Sequence, residues 1–333
     1  MNKILNKINI FIQSHQDLKI IIDHCREYKS KNDLKIYIVG GIVRDILLER
    51  KINFDLDLVI EGDIDKFSKN LSKILNSKLQ EVHGFPNFKL LLKEKFEIDI
   101  AHSRKEQYIT SGSLPKWTKT SIYEDLYRRD FTINAIALEI KLNKLDIIDP
   151  LNGIKDINNK IIRILHQDSF KDDPTRIYRA IKYKSRLGFK FDNETKMNLY
   201  KSIKHIQNIS TYRKNNELLK LLNEPNLNII LETIYLDKKL KNIIPNLFMN
   251  KIHFISKEFW GSSSQIEKLF FSIISFSDKA REEFLRSVNL SKINMKKISY
   301  YLEIKHLIET ENNIKIEELK ASKDFISTLC HCL

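Results

Sequence analysis

Hydrophobic positions change rhythm along the chain, and the changes mark out its elements. Ile4, Ile8, Ile10 and Phe11, then Leu18, Ile20, Ile21, Ile22 and Cys25, predict one or two amphipathic helices over residues 1 to about 30, packed on the domain C-terminal to them. Ile36 to Val39 is an apolar, β-rich run that stops at Gly40-Gly41, a strand ending in a tight turn. Ile42 to Leu48 returns to helical spacing. In Phe54-Asp-Leu-Asp-Leu58 the alternation puts Asp55 and Asp57 on one face of a second strand and Phe54, Leu56 and Leu58 on the other. Ile64 to Leu75 reads as a helix with Phe67, Leu71, Ile74 and Leu75 on its buried side. Phe88, Leu90, Leu91 and Leu92, then Phe96 to Ile100, predict two strands turned at Lys93 to Lys95. In the later strand Phe96, Ile98 and Ile100 face one way, Glu97 and Asp99 the other.

Glu106 to Lys119 contains Gly112, Pro115 and several Ser and Thr without periodicity, and reads as a long loop. Asp125 to Ala137 returns to helix or strand with a dense polar cluster, and Asp149-Pro150 and Gly153 punctuate its end. Beyond residue 160 the texture is helical: seven of the 8 glycines lie at or before Gly188. Helices are predicted over Thr175 to Leu187, opened by Pro174, then Asn193 to Ile206, Asn215 to Leu222 and Leu227 to Ile234, with more to the end. Strands alternating with helices from Leu34 to about Pro150, followed by helices alone, make the chain α+β. No internal repeat or low-complexity segment interrupts this order.

Composition narrows the class. With 333 residues there is material for two or three domains, and 42% hydrophobic with 30% charged residues is ordinary for a globular protein. The net charge of +14 and pI near 9.4 are not ordinary, and favour a polyanionic partner, nucleic acid before a membrane surface. Three cysteines (Cys25, Cys330, Cys332) exclude a disulfide framework and fit a reducing compartment. Cys330-His331-Cys332 has no matching pair elsewhere and reads as a helix end rather than a metal site. No apolar run is long enough to span a bilayer and Met1-Asn2-Lys3 opens no signal-peptide pattern, so the expected location is the cytoplasm. Nothing in the sequence indicates an oligomeric state.

Two constellations carry chemistry. Asp55 and Asp57 side by side on a strand repel each other, which a divalent cation, Mg2+ first, would relieve. Asp99 is a third candidate ligand from the neighbouring strand. Upstream, Gly40 and Gly41 let backbone approach a phosphate, a helix N-terminus would follow them, and Arg44 would add a charge-assisted contact beside Asp45. Together these point to a nucleotide site. Further on, Asp173 and Arg176 stand three apart and neighbour each other on one helix face. They read either as a surface ion pair of little energetic weight or as a base reader. In the latter, the carboxylate would accept from an exocyclic amino group and the guanidinium donate to the adjacent ring nitrogen, an edge that cytosine and adenine offer and uracil and guanine do not.

Val39-Gly-Gly-x-Val-Arg-Asp-x-Leu-Leu48, Asp55-x-Asp57, Arg128-Arg-Asp-Phe-Thr-Ile-Asn-Ala135, Asp149-Pro-x-x-Gly153, Asp172-Asp-Pro-Thr-Arg-x-x-Arg179 and Ser210-x-x-Arg213-x-x-Asn216-Glu217-Leu218 occur in that order. From about residue 36 to 220 the chain resembles the class II tRNA nucleotidyltransferase and bacterial poly(A) polymerase family. The resemblance implies a polymerase-beta-like head, a small mixed sheet with flanking helices, followed by an all-α neck, body and tail. Residues 1–33 would be a helical segment on the head, 34–150 the catalytic head, 151–222 the neck that selects the base, and 223–333 the body and tail that bind tRNA. It implies Asp55 and Asp57 as catalytic Mg2+ ligands and Gly40, Gly41 and Arg44 as the triphosphate turn. Arg129 and Asp130 would sense triphosphate and ribose, supported by Asn134. Asp173 and Arg176 would choose CTP and ATP, with Arg179 helping to hold the nucleotide. The chain departs from the family in having Asp172 where Glu is usual and Ser210-Thr-Tyr-Arg213 for Ser-Gly-Glu-Arg, and it ends early.

The function so implied is template-free addition of CCA, or part of it, to the tRNA 3′ end, with pyrophosphate as leaving group. Enzymes adding only A or only CC, and poly(A) polymerases, share nearly every motif. A non-catalytic RNA-binding protein is the reading from another class. The basic surface would meet tRNA phosphates, while Tyr178, Tyr183, Phe189, Phe191 and Tyr200 recur at helical spacing and read mostly as core.

Overall fold

The β-branched run at the start of the sheet forms Lys35–Val39 (β1), and the Asp-bearing run forms Asp55–Glu61 (β2), paired antiparallel. The computed structural model describes residues 2–50, 55–82, 87–92, 97–240, 243, 255, 257–274, 276–288, 290–310 and 321–332. Phe54, Phe96 and the turn expected at 93–95 lie outside these. Two units emerge: Met1–Ile109, Leu114–Ser169 and Lys190–Thr195 form the first, and Thr110–Ser113, Phe170–Phe189 and Lys196–Leu333 the second.

In the first unit the remaining strands are Lys78–Val82 (β3), Asn87–Leu91 (β4), Glu97–His102 (β5), Arg104–Gln107 (β6), Lys116–Lys119 (β7), Ala137–Ile140 (β8), Leu145–Ile148 (β9), Ile161–Ile162 (β10) and Lys190–Phe191 (β11). Seven of them make one mixed sheet in the order β3-β4-β5-β2-β1-β8-β9, with β2 and β5 parallel and the other pairs antiparallel. β2 sits centrally, and Leu56, Leu58, Val59 and Ile60 are buried on both of its faces, as a covered strand requires. Its first residues, Asp55 and Asp57, therefore lie where the buried stretch opens to water.

The unit's helices are Asn2–Ser14 (α1), Gln16–Lys31 (α2), Gly41–Leu47 (α3), Ile64–Ile74 (α4), Ile122–Tyr127 (α5) and Gly153–Asn158 (α6). The N-terminal pair lies against the sheet and its first helix: α1 against α3 and β9, α2 against β1 and β8. α4 is capped by the Asp63 carboxylate, which accepts from Lys66 N. It buries Ile64, Phe67 and Leu71, but Ile74 is exposed because the helix stops there. Three strands had no readable signal. β3 is a polar, exposed edge strand, a common way of keeping an edge from pairing with other chains. β6 and β7 pair antiparallel inside the segment expected to be one loop, leaving only 108–115 between them. Its strands carry no apolar alternation, and Glu106 of β6 pairs with Arg104 on the same strand and with Arg128.

The second unit is helical: Ser169–Asp172 (α7, whose first residue belongs to the first unit), Thr175–Leu187 (α8), Asn193–Ser202 (α9, begun in the first unit), Thr211–Leu222 (α10), Leu227–Leu236 (α11), Lys257–Ser262 (α12), Gln265–Ile273 (α13), Asp278–Ser287 (α14), Lys292–Thr310 (α15) and Lys323–Cys332 (α16). α8 starts after Pro174 and ends at Gly188 in the left-handed region (φ 68°), matching its expected bounds. α9 is shorter than expected, passing into a 3-10 turn over Ile203–Asn208, and α10 begins one turn earlier, capped by Ser210. Tyr178, Tyr183 and Phe189 are buried, as their spacing predicts. Cys330-His331-Cys332 lies in the last turn of α16. No helix among the described residues is long and apolar enough to cross a membrane.

Candidate active site

Alternate side chains on a strand share a face, so Asp55 and Asp57 point the same way. The parallel register then sets Asp55 opposite Glu97 and Asp57 opposite Asp99. One carboxylate oxygen from each of Asp55, Asp57 and Asp99 lies within 4.8 Å of the others. Partial burial pushes the Asp55 and Asp99 carboxyls above their ordinary range, and Glu97 adds to both while Lys89 offsets part of it. Lys89 comes from β4, opposite Asp99, with Nζ 2.6 Å from Glu97 Oε2 and 3.7 Å from Asp99 Oδ1. Three converging carboxylates, two of which burial holds back from ionising, suit a hard divalent cation, so the residues present fit Mg2+.

The turn after β1 brings backbone to these acids. Gly40 has φ 78°, and a Cβ there would stand 2.9 Å from Asp57 Oδ2 and 3.3 Å from Arg129 Nη1. Only glycine adopts this backbone without strain and leaves that space open. Arg129 thus lies beside the carboxylate group, while its Nη2 donates to Asp125 Oδ2 at 3.0 Å.

Arg44 sits beside the same turn, its Nη2 3.5 Å from where a Cβ on Gly41 would stand. It is 2% exposed; its Nε and Nη2 grip both oxygens of Asp45 at 2.9 Å, and its Nη1 donates to Asn134 Oδ1 at 2.6 Å. Asn134 Nδ2 in turn donates to Asp130 Oδ1 at 3.0 Å, which also accepts from Phe131 N. Arg44 is therefore built into a chain that orients Asn134 and Asp130. The Asp149-to-Gly153 motif is a helix start: the Asp149 carboxylate accepts from Gly153 N and Ile154 N, and a Cβ on Gly153 would collide with Thr132 O.

In the second unit, Asp173 lies just before α8 rather than on its face. Its Oδ1 accepts from Thr175 N and Oγ1 and from Arg213 Nη2 at 3.0 Å, and Arg213 Nη1 donates to Gly112 O at 2.7 Å. Pro174 stands at the N-cap position and Asp173 ties the first turn, where Arg176 N donates to Asp173 O at 3.0 Å. Arg176 is buried at 5% exposure, which excludes the solvated surface pair. Arg179 Nη2 lies 3.5 Å from Tyr183 OH with its guanidinium 5.9 Å from that ring.

Gly40, Gly41, Arg44, Asp55, Asp57, Asp99, Arg129, Asp130 and Asn134 thus belong to one unit, and Asp173, Arg176 and Arg179 to the other. Alternation in the sequence set Glu97 on the face of Asp99 but did not reveal Lys89, because strand register places it. Asp125 had a readable signal, standing three and four residues before Arg128 and Arg129.

The poly(A) polymerase head domain family matches residues 36–163. The chain is similar to an A-adding tRNA nucleotidyltransferase of Halalkalibacterium halodurans, 39% identical over 170 residues, 51% of this chain and 40% of that protein. It is also similar to a CCA-adding enzyme of Staphylococcus epidermidis, 31% identical over 234 residues, 68% of this chain and 56% of that protein. The chain thus spans about half the length of these curated relatives. A crystal structure of a tRNA nucleotidyltransferase complexed with a primer tRNA and an incoming ATP analogue matches with TM-score 0.66 at 27% identity, covering 88% of this chain and 87% of that one.

Proposed function

Since the chain belongs, through its head domain, to the class II tRNA nucleotidyltransferase and poly(A) polymerase family, we propose that it adds nucleotides from CTP and ATP to the 3′ end of tRNA. The observation that carries the reading is the carboxylate group of Asp55, Asp57 and Asp99 beside Gly40 and Arg129. In the reaction the RNA 3′ oxygen bonds to the α-phosphorus, the bond from that phosphorus to the bridging oxygen breaks, and pyrophosphate leaves. Two Mg2+ ions held by Asp55 and Asp57, with Asp99 as a further ligand, would polarise the attacking oxygen and neutralise the triphosphate.

The chain's own residues position the reactants. Gly40 and Gly41 leave room for phosphate, Arg129 supplies a guanidinium beside the acids, and Asp130, oriented by Asn134 and Arg44, would accept from the ribose hydroxyl. Asp173 would read the amino group of C or A through Oδ2, since its bonds to Thr175 and Arg213 use Oδ1, and Arg176 would donate to the ring nitrogen. In this reading residues 34–150 perform the chemistry, 151–222 select the base and 223–333 hold the tRNA.

A-addition alone is a second reading, favoured by the A-adding relative at 39% identity. One experiment tests both: tRNAs lacking CCA, ending in C and ending in CC, each with Mg2+ and CTP, ATP or both. Full CCA synthesis supports the first reading, and a single A on CC-ended tRNA alone supports the second. Long tails from ATP alone would identify a poly(A) polymerase, and no extension of any primer overturns the enzyme reading. Asp55→Ala should abolish extension and leave tRNA binding nearly unchanged.

A further inference from the structure

Asp125, on α5, is fully buried at 0% exposure, and its two oxygens are used unequally. Oδ1 accepts from Arg104 N at 3.0 Å and from Arg128 Nε and Nη2 at 2.9 and 2.8 Å. Oδ2 accepts from Arg129 Nη2 at 3.0 Å. Arg128 is held several times over, since it also donates to Glu106 Oε1 and Arg104 O. Glu106 is secured by Arg104 Nε and Tyr108 OH. Arg129 has no such support: among the described residues Asp125 is its hydrogen-bonding side-chain partner, and its Nε is buried without one.

We propose that Asp125 is a positioning residue that aims Arg129 at the nucleotide triphosphate, holding Nη2 so that Nη1 stays beside Gly40 and Asp57. The proposal deepens, and rests on, the nucleotidyl-transfer reading. An arginine side chain has several rotatable bonds and loses its aim unless something buried fixes it. A charge-assisted bond to a carboxylate that water does not reach is such a fixture. Arg128 and Glu106 serve to immobilise the carboxylate itself. The adjacent arginines are thereby divided in role: Arg128 belongs to the support, and Arg129 is presented to the ligand.

The uneven use of the oxygens supplies a selective test. In Asp125→Asn the amide oxygen keeps most bonds by taking the Oδ1 place, which puts the NH2 group against Arg129 Nη2. The variant should retain Arg128 and lose its hold on Arg129. Affinity for ATP and CTP with Mg2+, measured by calorimetry without primer, should fall about 10–100-fold, with KM rising alongside it. Arg129→Ala should lose a similar factor, and the double variant should be no worse than Arg129→Ala. Glu106→Gln, in the same network without touching Arg129, should lower Tm and leave nucleotide affinity unchanged. If Asp125→Asn does not fold, Asp125→Glu, which keeps the charge but shifts its place, is measured against the same standards. Losses that multiply in the double variant, or an equal loss in Glu106→Gln, overturn the proposal and leave the enzyme reading standing. A wild-type protein that neither binds triphosphate nor extends a primer overturns both.

Discussion

Gly40 holds φ 78°, and an added Cβ would press on Asp57 Oδ2 at 2.9 Å and Arg129 Nη1 at 3.3 Å. Gly40→Ala therefore combines a backbone strain of about 1–2 kcal/mol with displacement of two groups that must stay in place. Transfer activity should drop by about 100-fold or more while tRNA binding is kept, as steady-state kinetics and filter binding would report. Activity within a few-fold of wild type would mean that this approach of backbone to carboxylate is dispensable. At this scale the sequence was informative about residue types with special backbone or charge, such as Gly40, Asp55 and Asp57. It did not show that Arg44 is buried against Asp45 and Asn134, because spacing alone does not separate an exposed arginine from one built into a network. It was silent about Lys89, whose place depends on which strand lies beside it.

Pairing β2 with β5 sets four carboxylates, Asp55, Asp57, Glu97 and Asp99, along two adjacent strands with Lys89 as their near cation. Burial and neighbouring charge raise the Asp55 and Asp99 carboxyls in the folded chain. A raised folded value means the native state binds more protons than the unfolded one, so stability declines as pH rises from the ordinary carboxylate value of about 4 through the raised one. Asp55→Asn removes part of that cost. In EDTA at neutral pH its Tm should exceed the wild-type Tm, and the gap should close below the ordinary carboxylate range. Mg2+ should raise the Tm of wild type and not of the variant, with wild-type affinity increasing as pH rises and the acids lose their protons. A scanning-fluorimetry series in which the variant is no more stable than wild type without metal would refute the coupling. Elements with strong apolar alternation, β1, β2 and β5, were legible from the chain. β3, β6 and β7 were not, since an exposed edge and a hairpin of mostly charged and polar side chains carry no apolar period.

Across the whole molecule, a charge of +14 makes phosphate contact the main sequence-independent term in any RNA complex. RNA affinity should fall about tenfold or more between 50 and 200 mM salt, read by fluorescence anisotropy, and a salt-independent constant would exclude a phosphate-based bed. The passage from strands to helices near residue 160 was readable because glycine and β-branched runs give way to helical spacing. The tracing of the units was not, because it depends on contacts between distant segments. The chain passes from one unit to the other at 109/110, 113/114, 169/170, 189/190 and 195/196. β11, which pairs with β10, and Asp192, which binds Arg163, are thus encoded beyond α8 yet complete the first unit. A single recombination breakpoint cannot transplant either half intact. A contiguous segment that keeps one unit whole also carries pieces of the other, so a gene fusion or shuffled chimera cannot treat the two as separate cassettes.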